Sequence, residues 1–140
     1  MKVKCFSKKI ILIVILSLLS FILFLTLIKD RIIVINNLSF HVSRLDKFQS
    51  NANKGKEDSI KIIVYKGLGN KITKELSVDE SKIITLTVDC RKDKDLPKNA
   101  LKINIYKCTA FVRSISDKTV DYSLIVKDKK EVINFQSFKK

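Results

Sequence analysis

The chain has 140 residues, 28 of them Lys or Arg against 14 Asp or Glu, for a formal net charge of +14. A single histidine, His41, excludes the histidine-rich zinc sites and leaves one general base of that type. Lysine outnumbers arginine 24 to 4 and is scattered, without a helix-turn-helix pattern, an arginine cluster or a platform of interleaved basic and aromatic residues; nucleic acid is therefore the poorest of the anionic partners.

Nineteen uncharged residues, Ile10 to Ile28, open the ordered pattern, broken only by Ser17, Ser20 and Thr26. At 1.5 Å per residue they extend roughly 28 Å as a helix, one bilayer crossing. A cleaved signal has a shorter apolar region and a small-residue cleavage site, whereas Lys29-Asp30-Arg31 follows here. Cys5 precedes the apolar run, so it is not a lipoprotein cysteine, and the run lacks the glutamate of a pilin-type stalk. Lys2, Lys4, Lys8, Lys9 and the free amine outweigh Lys29 and Arg31, which places the first nine residues in the cytoplasm. The expected organisation is a cytoplasmic flank over 1–9, a transmembrane helix over 10–28, a juxtamembrane linker over 29–37 and an extracellular domain over 38–140.

That domain is large enough for one core. From residue 32 onward, 22 basic residues face 13 acidic ones. The surplus favours contact with the lipid bilayer or an anionic wall polymer. The competing account is a solvated surface shaped by AT-rich codon usage.

After the turn-like Asn36-Asn37, Val42, Leu45, Phe48 and Ala52 recur at helical spacing. They predict an amphipathic helix over 42–54, with Ser43 and Asp46 as a capping box and Gly55 as its left-handed stop. The period then changes from 3.6 to 2. Ile60–Tyr65, apolar on both faces, reads as a central strand; 72–78, 84–88, 101–105 and 120–126 alternate, and 111–115 and 132–138 are weaker strand candidates. Short polar turns at 67–70, 78–81, 116–118 and 128–130 imply antiparallel neighbours. The longer 89–99 connection, with the only proline, is expected to be a mobile loop. The fold class is α+β: one transmembrane helix, then a small, mainly antiparallel β-sheet with one amphipathic helix.

Phe48, Asn51, Asn53-Lys54-Gly55-Lys56, Asp58, the strand Ile60–Tyr65, Asp89, Asp93 and Cys108 resemble a family of uncharacterised small lipoproteins and secreted proteins of Gram-positive bacteria. The resemblance runs over about residues 38–110 and implies location and domain limits, without an activity. Similar members usually carry a lipid anchor, and an acidic glycine-proline turn where this chain has Lys66-Gly67-Leu68-Gly69-Asn70-Lys71.

Three sets of residues invite chemistry. Cys90 and Cys108 face an oxidising compartment, and a disulfide would close a loop of about nineteen residues, worth roughly 3 kcal/mol; two free, partly buried thiols are the alternative. Asp89, Asp93 and Asp95 do not follow the calcium-loop spacing, and Arg91, Lys92 and Lys94 offset them. Gly67-Leu68-Gly69 lies between strands and reads as a hairpin, not a phosphate loop. No nucleophile elbow or paired-carboxylate scaffold is visible. The expected protein is a non-catalytic binding or interaction module needing no cofactor. The alternatives are an accessory subunit that uses Ser17 and Ser20 to contact another membrane protein, and a hydrolase.

Overall fold

A computed structural model describes residues 3–35, 38–127 and 131–139. Its first element, α1 (Val3–Ile28), is long and apolar enough over Ile10–Ile28 to cross a membrane. The large apolar side chains from Ile10 to Leu27 are 46–64 % exposed, so the described domain does not cover them. In water that surface would be prohibitive; a bilayer, or removal as a signal, resolves it.

Eight strands follow: β1 (Arg31–Ile35), β2 (Leu38–Phe40), β3 (Asp58–Gly67), β4 (Asn70–Val78), β5 (Ile84–Asp89), β6 (Ile103–Ile115), β7 (Thr119–Val126) and β8 (Val132–Lys139). Among the described residues of the domain, one helix, α2 (Ser43–Asn53), lies between β2 and β3. The sheet runs β2-β1-β3-β4-β5-β6-β7-β8, and all neighbours are antiparallel except β1 and β3. The parallel pair requires a crossover, which β2 and α2 provide.

The linker expected over 29–37 is instead largely sheet. Ile32-Ile33-Val34-Ile35 pairs along β3 from Arg31↔Lys61 to Ile35↔Tyr65, and Ile32 and Val34 enter the core. A β-branched run that buries alternate residues gains more as a strand than as a tether. The domain thus begins two residues after the apolar helix. The Asn36-Asn37 and 128–130 turns lie outside the described residues.

One face of the sheet must be dry, yet α2 has only eleven residues to cover it. The sheet therefore curls. β6 pairs with β5 through Ile103–Cys108 and with β7 through Cys108–Ile115, and its register shifts between Cys108 and Ala110. That bulge redirects the strand and lets β7 and β8 fold across the inner face of β3 and β4. One bent strand, Ile103–Ile115, thus joins the two separate runs expected at 101–105 and 111–115.

Leu45, Phe48 and Ala52 of α2 are buried, as the spacing requires. Phe111 is the aromatic hub, with ring centroids 5.8 Å from Phe48, 5.6 Å from Tyr122 and 6.0 Å from Phe135. The Gln49 amide donates to the Phe111 carbonyl at 3.0 Å, fixing α2 beside the bend. The expected capping box does not form: Val42 is the N-cap residue, without a side-chain cap, and Asp46 instead accepts from the Tyr122 hydroxyl at 2.8 Å and pairs with Arg113 at 3.2 Å. Gly55 does take the left-handed conformation, φ 66°.

Phe48→Ala should lower stability by about 3–5 kcal/mol, because it removes the helix's largest contact with the hub and leaves a cavity. Denaturant unfolding of the full chain checks it: a loss below about 1 kcal/mol would show that α2 is not integral to the core.

Candidate functional site

The joint between apolar helix and domain is an ion cluster. Arg44 of α2 donates from Nε to Asp30 Oδ1 at 3.2 Å and from Nη1 to Asp58 Oδ2 at 2.9 Å, with Nη2 completing a bidentate contact to Asp58 and also meeting the Ser59 carbonyl at 2.9 Å. Asn51 donates to the same Asp58 carboxylate at 2.8 Å, and the Lys61 amide donates to the Asp30 carbonyl at 3.0 Å. Burial by itself would raise the Asp58 pKa, but hydrogen bonds from Arg44 and Asn51 outweigh it and hold the carboxyl below its ordinary range. Asp30 lies in the two-residue joint, so one guanidinium ties α2, β3 and the end of α1 together.

The outer loop is similarly tied. Asp93 accepts from Lys66 at 2.9 Å, Asn70 donates to Asp95 at 3.1 Å, the Lys94 amide donates to Asn70 at 3.1 Å, and the Lys71 amide donates to the Lys92 carbonyl at 2.9 Å. The loop expected to move is thus stitched to the Gly67–Asn70 hairpin. Asp89 is drawn down to about 2 by hydrogen bonds from Arg91. Among the described residues, no group of three or more His, Cys, Asp or Glu is placed to hold a metal.

The expected Cys90–Cys108 bridge is absent, and both thiols are buried and free. Cys108 lies opposite Ile84 at the start of β5, whereas the Cys90 amide, just past its end, donates to the Lys102 carbonyl. Six residues of strand separate them, about 20 Å, far beyond the reach of a disulfide. Burial pushes both thiols up, as expected of inert cysteines. Of the membrane-flank residues, Arg31 opens β1 opposite Lys61 and Lys29 sits exposed beside Asp30; Lys2 and the side chains of Lys4, Lys8 and Lys9 lie outside the described residues. His41 takes a left-handed φ of 63° between β2 and α2 and is exposed.

Lys74 was not among the residues expected to carry a function. It occupies an inner-face position of β4, opposite Ile62 and Val88. Its ammonium donates to the Phe135 carbonyl and, at 3.1 Å, to Gln136 Oε1, and it lies 5.3 Å from the Phe135 ring centre. Phe135 is the extra residue where the β7–β8 register shifts. Burial lowers the Lys74 pKa to about 8; the Cys90 thiol acts weakly in the opposite direction. The signal was present as a break in alternation: Ile72, Lys74, Leu76 and Val78 share one face, and the lysine is the odd member.

Beside Gln136 opens a cleft of about 630 Å³, lined by Val34, Val64, Tyr65, Lys66, Thr119 and residues 136–139. It marks the seam where β8 faces β1 and β3 without pairing to them.

Residues 29–123 match the model of DUF4362, a domain of unknown function. The chain belongs to this family. The matched segment begins at the joint and takes in β1, in agreement with the strand found where a linker was expected. No curated protein and no solved structure matches the chain.

Two outcomes follow from this geometry. Thiol labelling of the unfolded, unreduced chain should count both Cys90 and Cys108 as reactive; protection of either would contradict the register. Lys74 is depressed below its unfolded value, so its protonation disfavours the fold at neutral pH and the penalty is relieved as pH rises from about 8 toward 10.4. Stability should gain about 3 kcal/mol over that window from this group. Lys74→Met should remove the gain, as read by unfolding curves at pH 7 and pH 10.

Proposed function

We propose that the chain is a membrane-anchored, non-catalytic binding module at the surface of a Gram-positive bacterium, with its amino terminus cytoplasmic and its DUF4362 domain outside. The observation that carries this reading is the joint. A helix long and apolar enough to span a bilayer passes into the core sheet through two residues, one of them held by Arg44 and by the Lys61 amide. Such a connection holds a domain against a membrane at a fixed attitude. The lysine asymmetry across the apolar segment supports the orientation.

A binding role is supported by how the charged groups are used. Asp58, Asp89 and Asp93 are each held by a cation in an ion pair, which keeps them ionised rather than poised to exchange protons. The accessory-subunit reading needs Ser17 and Ser20 as a contact face. The Ser17 hydroxyl donates within its own helix to the Val14 carbonyl at 2.8 Å, which favours a plain tether.

Protease added to intact, wall-stripped cells should digest the domain, and full protection would reverse the proposed topology. Exchanging Ile10–Ile28 for an unrelated apolar helix should leave surface display and binding unchanged; loss of either would restore the subunit reading. Association with anionic lipid or wall polymer through the scattered lysines should fall steeply between about 50 and 200 mM salt.

A further inference from the structure

Lys74 and the seam cleft meet at one residue. Gln136 accepts the Lys74 ammonium's hydrogen bond and also lines the cleft. Lys74 is half-buried, and a lysine drawn so far inward is ordinarily paired, because removing an ammonium from water is costly. Lys74 has neutral acceptors for two of its three N–H donors, and among the described residues no carboxylate lies within 4.0 Å of it. Asp58, Asp93 and Asp89 are held elsewhere, by Arg44, Lys66 and Arg91, and Asp121 accepts from Thr119 and Ser137.

The neighbouring space has the form of a ligand site. Val34, Val64 and Phe138 supply apolar wall; the Thr119 and Ser137 hydroxyls both donate to the Asp121 carboxylate, Lys66 is paired with Asp93, and Lys139 adds a positive charge. Its volume of about 630 Å³ lies within the range of small-molecule pockets. The Lys74 ammonium beyond Gln136 offers an anion its counter-charge, and an apolar body fits the cleft's walls. The Gln136 side chain stands where the headgroup of such a molecule would reach the ammonium, and it is held there by a neutral hydrogen bond that a carboxylate would outbid.

We propose that the cleft between β3 and β8 binds a small monocarboxylate with an apolar body, whose headgroup replaces the Gln136 oxygen at the Lys74 ammonium while its body lies against Val34, Val64 and Phe138. This deepens the binding-module reading and rests on it. The ligand supplies the missing counter-ion, so binding should raise the Lys74 titration midpoint from its present value near 8.

The test uses the full chain in lipid nanodiscs, with empty nanodiscs as the blank, and follows the Gln136 side-chain amide and the Lys74 amine by NMR during titration with sodium hexanoate at constant ionic strength. Saturable shifts at both groups are expected, with hexanol at least about tenfold weaker, hexylammonium without effect, and the Lys74 midpoint raised by about one pH unit or more at saturation. Lys74→Met should weaken hexanoate about tenfold or more, while Lys92→Met, outside the cleft, should leave it unchanged. Equal binding of hexanol and hexanoate to the unaltered chain would overturn the proposal even if Lys74→Met failed to fold, and so would an unmoved Lys74 midpoint. Palmitate delivered in the nanodisc separates a lipid-derived acid from a soluble one: competition with hexanoate assigns the same site to membrane acids, and its absence assigns it to soluble acids. Failure of hexanoate with the domain still digested on intact cells would remove this site and leave the surface-module reading; protease protection would remove that reading and leave the site.

Discussion

The arrangement depends on covering a wide sheet with a small helix. An eight-stranded sheet must bury one face, and α2 brings only Leu45, Phe48 and Ala52 to it. The remaining apolar surface is buried by the sheet itself, through the shift at Cys108/Ala110 that turns β6 from partner of β5 into partner of β7. The bulge leaves Phe111 facing Phe48, Tyr122 and Phe135 together, so helix and both halves of the sheet converge on one ring. Without that bend, Phe135 and Phe138 would have no inner face to meet.

Curling without closing leaves two consequences. β8 comes to rest against β1, β3 and β4 without joining their ladder, which opens the seam cleft. The shift between Tyr122 and Ser123 leaves Phe135 without a cross-strand partner, and the Lys74 ammonium takes up its carbonyl. Lys74 thus bridges β4 to β8 by side chain where the backbone does not. Among the described residues the same ammonium, half-buried, has no carboxylate partner, so the strut of the curl and the candidate anion site are one feature.

The other end of the domain follows a different logic. Arg44 holds Asp58 and Asp30 at once, and the Lys61 amide takes the Asp30 carbonyl. Because β1 begins at Arg31, any tilt of the apolar helix acts on a core strand rather than on a slack tether. In the proposed anchored state a bilayer would constrain how the domain presents its seam, through β1, which contributes Val34 to the cleft.

Local chemistry determined much of this from sequence. The apolar run, the 3.6-residue spacing of Leu45, Phe48 and Ala52, the left-handed Gly55 and the alternating strands are each set by a few neighbouring residues, and they were legible for that reason. β1 was read as a linker despite its β-branched residues, because its place beside β3 lay beyond local pattern: a parallel pairing depends on a crossover of more than twenty residues. Strand register stood likewise outside local pattern: the separation of Cys90 from Cys108 depends on which residue of β5 faces which of β6, a matter of the whole sheet's fit. So does Lys74, whose sequence signal is one polar residue on an apolar face. Whether that face turned to water or inward was decided only when the bulge in β6 brought β8 across it, because burial belongs to the packed sheet and not to any one strand.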